Sequence, residues 1–241
     1  MARRPIFVPS LEKDSFFEEI SVEFDWHSGF STSQKQKSIK SLHEAANNKN
    51  ISNILEVSTK SDNILGSKLS AFNLSLQMKD GTQLFLESAF QGSKVFEEGG
   101  PFTDLYNLDP FEVKKDERIS KDNKIIGFRY EGIDWDSEPK TAFYDWLYIN
   151  ALNDSIASNQ ESTLKDIIDY GGFTDIEFNP EKSINCQARS CSVFVSLYKK
   201  GLLKRALESK EKFLQTLGVD KFYQTPFIHK QKSFFDEFEK D

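Results

Sequence analysis

The stretch KLSAFNLSLQMKDGTQLFLESAFQGSKVFEEGG, Lys68–Gly100, carries two periodicities in succession, and the change between them decides the fold. Leu74, Leu76 and Met78 alternate with polar residues up to Asp80-Gly81, and Leu84 and Leu86 resume the alternation beyond it. A period of two on both sides of an Asp-Gly pair predicts a β-hairpin, because these residues tolerate the positive φ that tight turns need. From about Glu87 the period lengthens. Glu87, Gln91 and Lys94 recur at intervals of four and three, so a helix here gathers an acid, an amide and an amine on one face. Leu86, Ala89, Phe90 and Phe96 fall on the other side and are expected in the core. Gly92 costs about 1 kcal/mol against Ala inside a helix, which predicts close approach by a ligand or a neighbouring element. The same spacing also suits a solvated face with a weak ion pair. The flanking Phe90, Val95 and Phe96 argue for a partly buried helix, where a Lys is not idle.

Working outward, residues 1–30 read as an extended arm in which ISVEFDW alternates as a strand. STSQKQKSIKSLHEAANNKN opens on Ser/Thr capping candidates and carries Ile39, Leu42 and Ala46 at helical spacing. NILEVST reads as a strand. Beyond Gly99-Gly100-Pro101 come one or two short helices, then IIGFRYEGIDW as strand or loop. SEPKTAFYDWLYINALNDSIASN is the clearest helix. A short helix, a Gly-Gly turn and a strand or loop follow over TLKDIIDYGGFTDIEFNPEKSIN. Asn179-Pro180 marks a turn, and Ser183 is positioned to cap the next helix. CQARSCSVFVSLYKK reads as a helix, Gly201 as a joint, and the segment after it as a basic amphipathic helix; the tail FFDEFEK is aromatic and acidic. With no internal repeat and no linker, the fold class is α+β: a single, mainly helical domain with a small β hairpin or sheet. Residues 1–50 are assigned to an N-terminal extension and helix packed on a domain of 51–241.

The 22 Phe among 241 residues supply apolar area for a sizeable core. A net charge of −7 opposes broad, sequence-blind gripping of nucleic-acid backbone, but not the reading of one nucleotide or a strand end. Cys186 and Cys191 form neither a disulfide framework nor a metal motif, and His27, His43 and His229 are scattered, so no metal and no cofactor is expected. The basic start lacks the apolar run of a signal peptide, and no run approaches a membrane span, which predicts a cytoplasmic protein without membrane contact.

Two further polar groupings stand out. FTDIEFNPEKSINCQARS crowds Asp175, Glu177, Asn185, Gln187 and Arg189 into an aromatic-lined stretch; turn and cap duties are the alternative use of these residues. SQKQKS, Ser33–Ser38, is either a solvated helix start or a phosphate-binding one through Lys35 and Lys37.

The segments SAFNL, KDG and ESAFQGSK resemble the core of the NADAR family, with its Ser-x-Phe segment, DG hairpin and Glu-x-x-x-Gln-x-x-Lys helix. DPFEVKKDER resembles the family segment ending in Gly-Arg, with Arg118 in the Arg place. TDIEFNPEKSINCQA resembles Asp-x-x-Trp-Gly followed by Gly-x-Asn-x-Leu-Gly, with Asp175, Phe178, Asn179, Ser183, Asn185 and Ala188 in those places. The blocks keep family order across roughly residues 68–198, which makes 51–241 a NADAR-like domain. Ser88 stands where His is common, Phe178-Asn179 for Trp-Gly, Glu117 for Gly and Ser183 for Gly. These departures bear on substrate identity more than on fold.

The chain as a whole looks closest to the NADAR branch found beside DarT-type toxins, which ADP-ribosylate guanine in DNA. That resemblance implies an antitoxin that removes ADP-ribose from the base; its partners are then ADP-ribosylated DNA (guanine) or ADP-ribose, and a DarT-type toxin encoded nearby. Other family members cleave N-glycosidic bonds in free riboflavin-pathway intermediates. A non-catalytic ADP-ribose-binding module and a toxin-binding antitoxin are the remaining alternatives. Glycosidic cleavage needs a proton for the departing nitrogen and a carboxylate near the anomeric carbon. Glu87, Lys94 and Asp175 are the catalytic candidates. A nucleophilic Lys94 requires a depressed pKa, and Glu87 beside it pushes the other way, which favours an acid or charge-stabilising role. Lys35, Lys37, Lys114 and Arg118 are candidates for the diphosphate, Phe72 and Phe178 for stacking on a base, Asn185 for a sugar or base edge, and Gln91 and Gly92 for the site wall.

Overall fold

The computed structural model describes residues 1–12, 14–78, 80–119, 123–157, 162–181 and 183–219. The opening arm forms strands β1 (Ala2–Pro9) and β2 (Phe17–Phe24), antiparallel with Ala2 opposite Phe24 and Pro9 opposite Phe17. Helix α1 (Thr32–Asn47) starts at Ser31, whose side chain accepts from the Gln34 N–H. Its Ile39, Leu42 and Ala46 bury against Ile6, Val22, Phe24, Ile51 and Ile176, a small core under the N-terminal hairpin. Strand β3 (Ile54–Glu56) and helix α2 (Ile64–Lys68) follow.

The decisive stretch forms the expected hairpin, β4 (Ser75–Gln77) and β5 (Gln83–Phe85), with Leu76 opposite Leu84. Gly81 takes φ +88° in its turn, a conformation that favours glycine. Helix α3 (Leu86–Gly92) leaves β5 directly. It stops earlier than the 87–91–94 spacing predicts. The Ser93 N–H and Oγ both donate to the Ala89 carbonyl, at 3.0 and 2.7 Å, and Lys94 opens strand β6 (Lys94–Phe96). Pairing of Lys94 with Phe128 and Val95 with Gly127 overrides the helical pattern, which suits the β-favouring Val95 and Phe96.

Short helix α4 (Pro110–Val113) begins at Asp109, whose side chain accepts from the Phe111 N–H. Strands β7 (Ile125–Tyr130) and β8 (Ile133–Asp136) join through Glu131-Gly132, both with positive φ, the geometry of a two-residue hairpin. Helix α5 (Ala142–Ala157) is buried on most sides, with Phe143, Leu147, Tyr148 and Leu152 fully enclosed. Strand β9 (Gly172–Thr174) and helix α6 (Gln187–Lys199) come next. Ser183 does not cap α6: the helix starts after Cys186 without a side-chain cap, and Ser183 Oγ donates to the Asn185 carbonyl. The expected basic amphipathic helix is broken into α7 (Leu203–Ala206) and α8 (Lys210–Thr216), because Ser209 caps the second piece. The tail FFDEFEK lies outside the described residues.

The largest sheet has the order β2-β1-β9-β3, with β1 antiparallel and β3 parallel to β9. Beside it lie the β4-β5 hairpin and the β6-β7-β8 meander. The main core is aromatic: Phe90 stacks on Phe128 at 5.5 Å, Phe128 on Phe143 at 4.8 Å, and Tyr144 meets Phe90 edge-on at 5.0 Å. Most of α3 is locked into this core, and its polar side chains are carried inside with it. Among the described residues no helix is long and apolar enough to cross a membrane.

Candidate functional site

The backbone of Ala71 is the pivot of the site. Its carbonyl accepts from the Glu87 N–H at 3.0 Å, and its N–H donates to Gln187 Oε1 at 2.8 Å. Gln187 also bonds the Asp175 carboxylate. One turn of chain thus ties the start of α3 to the start of α6 and to the loop after β9, and brings Glu87 and Asp175 to one region of the fold.

On the α3 side, Glu87 is 6% exposed. Gln91 Nε2 donates to its Oε1 at 2.9 Å, and Lys114 Nζ, from the end of α4, lies 3.3 Å from the same oxygen. This fixes the Gln91 amide, since the reverse orientation sets oxygen against oxygen. Gln91 Oε1 is left buried with no hydrogen-bond partner among the described residues. Lys94 sits over the Phe90 ring, Nζ 5.3 Å from its centroid, and its ammonium has no ion-pair partner among the described residues. Burial lowers its pKa to about 8; Glu87 acts in the opposite direction and Lys114 in the same one. The expectation that Glu87 would decide the Lys94 pKa is therefore reversed: the cost of desolvating the ammonium exceeds the attraction. Glu87 gives its hydrogen bond to Gln91 and its ion pair to Lys114, and Lys94 pairs with no carboxylate among the described residues.

Gly92 has a structural neighbour. A Cβ there meets the Tyr106 ring at 2.7 Å and the Phe102 carbonyl at 2.9 Å. The close approach is made by Tyr106, whose hydroxyl also lies 2.9 Å from Ser93 Oγ.

On the α6 side, Asp175 accepts from the Glu177 and Phe178 N–H groups at 3.0 and 3.2 Å. Burial first, and nearby Glu56 second, push its pKa upward. Glu56 is buried and accepts from Ser58 Oγ at 2.6 Å, Thr174 Oγ1 at 2.7 Å and the Ile176 N–H at 2.8 Å. Burial raises the pKa of Glu56 as well, and each carboxyl accepts three hydrogen bonds, so burial opposes both members of the pair being charged at once. His43 completes this network. Burial lowers its pKa to about 4, and its Nε2 lies 2.8 Å from Thr174 Oγ1. Since Thr174 donates to Glu56, the neutral ring donates from Nε2.

The other candidates divide between this region and its surroundings. Phe72 is half-buried, with Lys114 Nζ 4.3 Å from its ring centroid and Phe111 at 4.8 Å. Asn185 Oδ1 is buried without a hydrogen-bond partner among the described residues. Lys35 pairs with Glu177 at 2.9 Å and stacks on Trp26, so α1 reaches the loop that holds Asp175. Lys37 instead lines a groove of about 470 Å³ with Gln36, Lys40, His43 and Asp62. Arg118 is engaged by Asp104 and Asp116, at 2.7 and 2.8 Å, over the Phe102 ring. The Phe178 ring is buried edge-on to Phe7 at 6.5 Å, so it offers no open face for a base. Gln187, Glu56, Thr174 and His43 complete the region and were not among the candidates. Gln187 alone carried a local signal, its place in the polar stretch after Asn179-Pro180.

No three His, Cys, Asp or Glu groups are placed to hold a metal ion among the described residues. Both cysteines are buried free thiols.

The fold and this wall define a mixed α+β single domain built around a buried acid–amide pair and a partly buried lysine that has no ion-pair partner among the described residues. The sequence profile of the DarT1-associated NADAR antitoxin matches residues 2–226, and the chain belongs to that family of antitoxins. No curated protein matches the chain.

Proposed function

We propose that the protein hydrolyses the N-glycosidic bond joining ADP-ribose to guanine in DNA, and so reverses the mark left by a DarT-type toxin. The observation that carries this reading is Lys94: an amine without an ion-pair partner among the described residues, with a pKa lowered to about 8, in the field of the buried Glu87 carboxylate. Such an amine is neutral often enough near neutral pH to act as a nucleophile, and still basic enough to carry a proton. The family match supports the antitoxin role, and the DarT1 association supports a toxin of that type as its counterpart.

The chemistry follows from what each group holds. Opening of the ribose ring, with a proton passed from the Lys94 ammonium to the ring oxygen, leaves Lys94 a neutral amine and the anomeric carbon joined to the guanine nitrogen as an iminium. The Lys94 amine adds to that carbon and loses a proton to Glu87. Return of the proton to the guanine nitrogen breaks the carbon–nitrogen bond to the base and leaves the sugar on Lys94 as an iminium. Water, activated by Glu87, adds to this carbon; release of the amine gives free ADP-ribose. Gln91 Oε1 offers an acceptor to the sugar, Lys114 a cation to the diphosphate, and Asp175, protonated, a donor to a ribose hydroxyl.

The test is single-turnover release of ADP-ribose from a modified oligonucleotide. Glu87→Gln should nearly abolish release while the fold persists, and borohydride should trap ADP-ribose on Lys94 in the wild type. Wild-type protein that releases no ADP-ribose would refute the activity. Release without trapping would return Lys94 to the role of proton donor.

A further inference from the structure

Helix α4 presents an aromatic surface beside the Glu87 wall that the reaction itself does not use. Phe111 is 59% exposed and Leu108, three residues earlier, 42%. Exposed apolar side chains scattered singly need no explanation. Here, however, the mounting is rigid. The Phe111 N–H is held by the Asp109 side chain at 2.8 Å, Pro110 fixes the first turn, and Ser88 Oγ of α3 donates to the Leu108 carbonyl at 2.8 Å. Phe111 and Lys114 stand three residues apart on the same turn, and both reach Phe72, at 4.8 and 4.3 Å. Lys114 then reaches Glu87 at 3.3 Å. A continuous line of contacts therefore runs from an open aromatic face, over a second ring and a cation, to the carboxylate of the site.

An open aromatic face on a rigid mount is a surface on which an unpaired base stacks. Its orientation along α3 matters, because a strand whose modified guanine occupies the Glu87 wall must carry its next nucleotide past one edge of that wall. We propose that the Phe72–Phe111 pair is a platform on which the nucleobase adjacent to the ADP-ribosylated guanine stacks, with Phe111 supplying the open face. The inference rests on the DNA reading of the same site and adds to it a contact with the neighbouring nucleotide. A base already unstacked from its neighbours costs less to place on a ring than one inside a duplex.

The experiment compares two substrates, an ADP-ribosylated guanine within a short single-stranded oligonucleotide and the same modified guanine as a free nucleoside. Phe111→Ala should raise KM on the oligonucleotide about tenfold, the loss expected for one base–aromatic stack, with kcat unchanged. It should leave both constants unchanged on the nucleoside. Phe111→Trp should restore the oligonucleotide KM. In parallel, 5-iodouracil placed next to the modified guanine should photo-cross-link to the peptide carrying Phe111, a readout that does not depend on turnover. Equal loss on both substrates, or an unchanged oligonucleotide KM in Phe111→Ala, overturns the platform while leaving the hydrolase reading intact. A Phe111 cross-link in a protein that releases no ADP-ribose supports the platform and sinks the hydrolase reading instead.

Discussion

Replacing Lys94 by methionine should make the protein more stable and inactive at once. The side chain is of similar length and apolar, so it fills the space over Phe90 without the ammonium. The magnitude follows from the pKa. Lowering a lysine from 10.5 to about 8 means the folded state disfavours its charged form by about 3 kcal/mol. That penalty is present in full below pH 8, where both folded and unfolded chains carry the proton. As pH rises from 8 towards 10.5 the folded chain sheds its proton before the unfolded one, the unfolded state binds more protons, and wild-type stability rises by linkage. Above that range the penalty is gone. Lys94→Met should therefore gain about 1–3 kcal/mol at pH 7, roughly 3–10 °C in Tm for a chain of this size. The gain should shrink as pH is raised to 10. Thermal melts across that pH range, beside single-turnover release at pH 7.5, provide the measurement. A stability gain that is the same at pH 7 and pH 10 would trace to packing and refute the desolvation argument. A variant less stable than wild type would mean that the Glu87 attraction outweighs burial. Retained turnover would remove Lys94 from the chemistry.

Two other outcomes follow from the packing around the site. Gly92→Ala should destabilise the protein by about 1–3 kcal/mol through the clash with the Tyr106 ring, measured by denaturant unfolding, while the affinity for ADP-ribose in the folded fraction stays within a few-fold; a stable variant with lost affinity would make Gly92 a ligand contact instead. Arg189→Met strands Asp145, which is fully buried and 2.8 Å from the Arg189 guanidinium, and should cost about 3–5 kcal/mol in urea unfolding; a loss below 1 kcal/mol would show that the Ser190 and Thr141 hydroxyls satisfy that carboxylate without the guanidinium.

What the sequence disclosed was whatever is local. The hairpin around Asp80-Gly81, the buried face of α1 and helix α5 are written in short-range periodicity, and the structure follows them. The connection of Asp175 to Glu87 is written nowhere locally. It depends on Gln187 reaching the backbone of Ala71 across more than a hundred residues of chain, and an ordinary glutamine at the start of a helix gives no sign of that. The Glu56–Thr174–His43 network is hidden for the same reason, since its members sit on β3, β9 and α1 and meet only when β9 pairs with β3. Phe111 was one of 22 phenylalanines, and exposure is not a property that a composition carries.

Lys94 is the instructive case, because it reaches the site by a route the spacing did not describe. On a continued helix, Lys94 would follow Glu87 by seven residues and share its face, with Gln91 between them. The chain instead leaves the helix at Ser93, and β7, about thirty residues further on, draws Lys94 into a strand. That exit has an electrostatic consequence. The Glu87 carboxylate is left to Gln91 and Lys114, while the Lys94 amine lies over Phe90 with burial as its largest influence. The depressed pKa on which the proposed chemistry depends is thus a product of strand pairing between β6 and β7. It follows that a change weakening this pairing without touching the site, such as Gly127→Pro in β7, should raise the Lys94 pKa towards that of an ordinary lysine and shift the activity profile to higher pH. An unshifted profile in a folded Gly127→Pro protein would break the link between the strand and the amine.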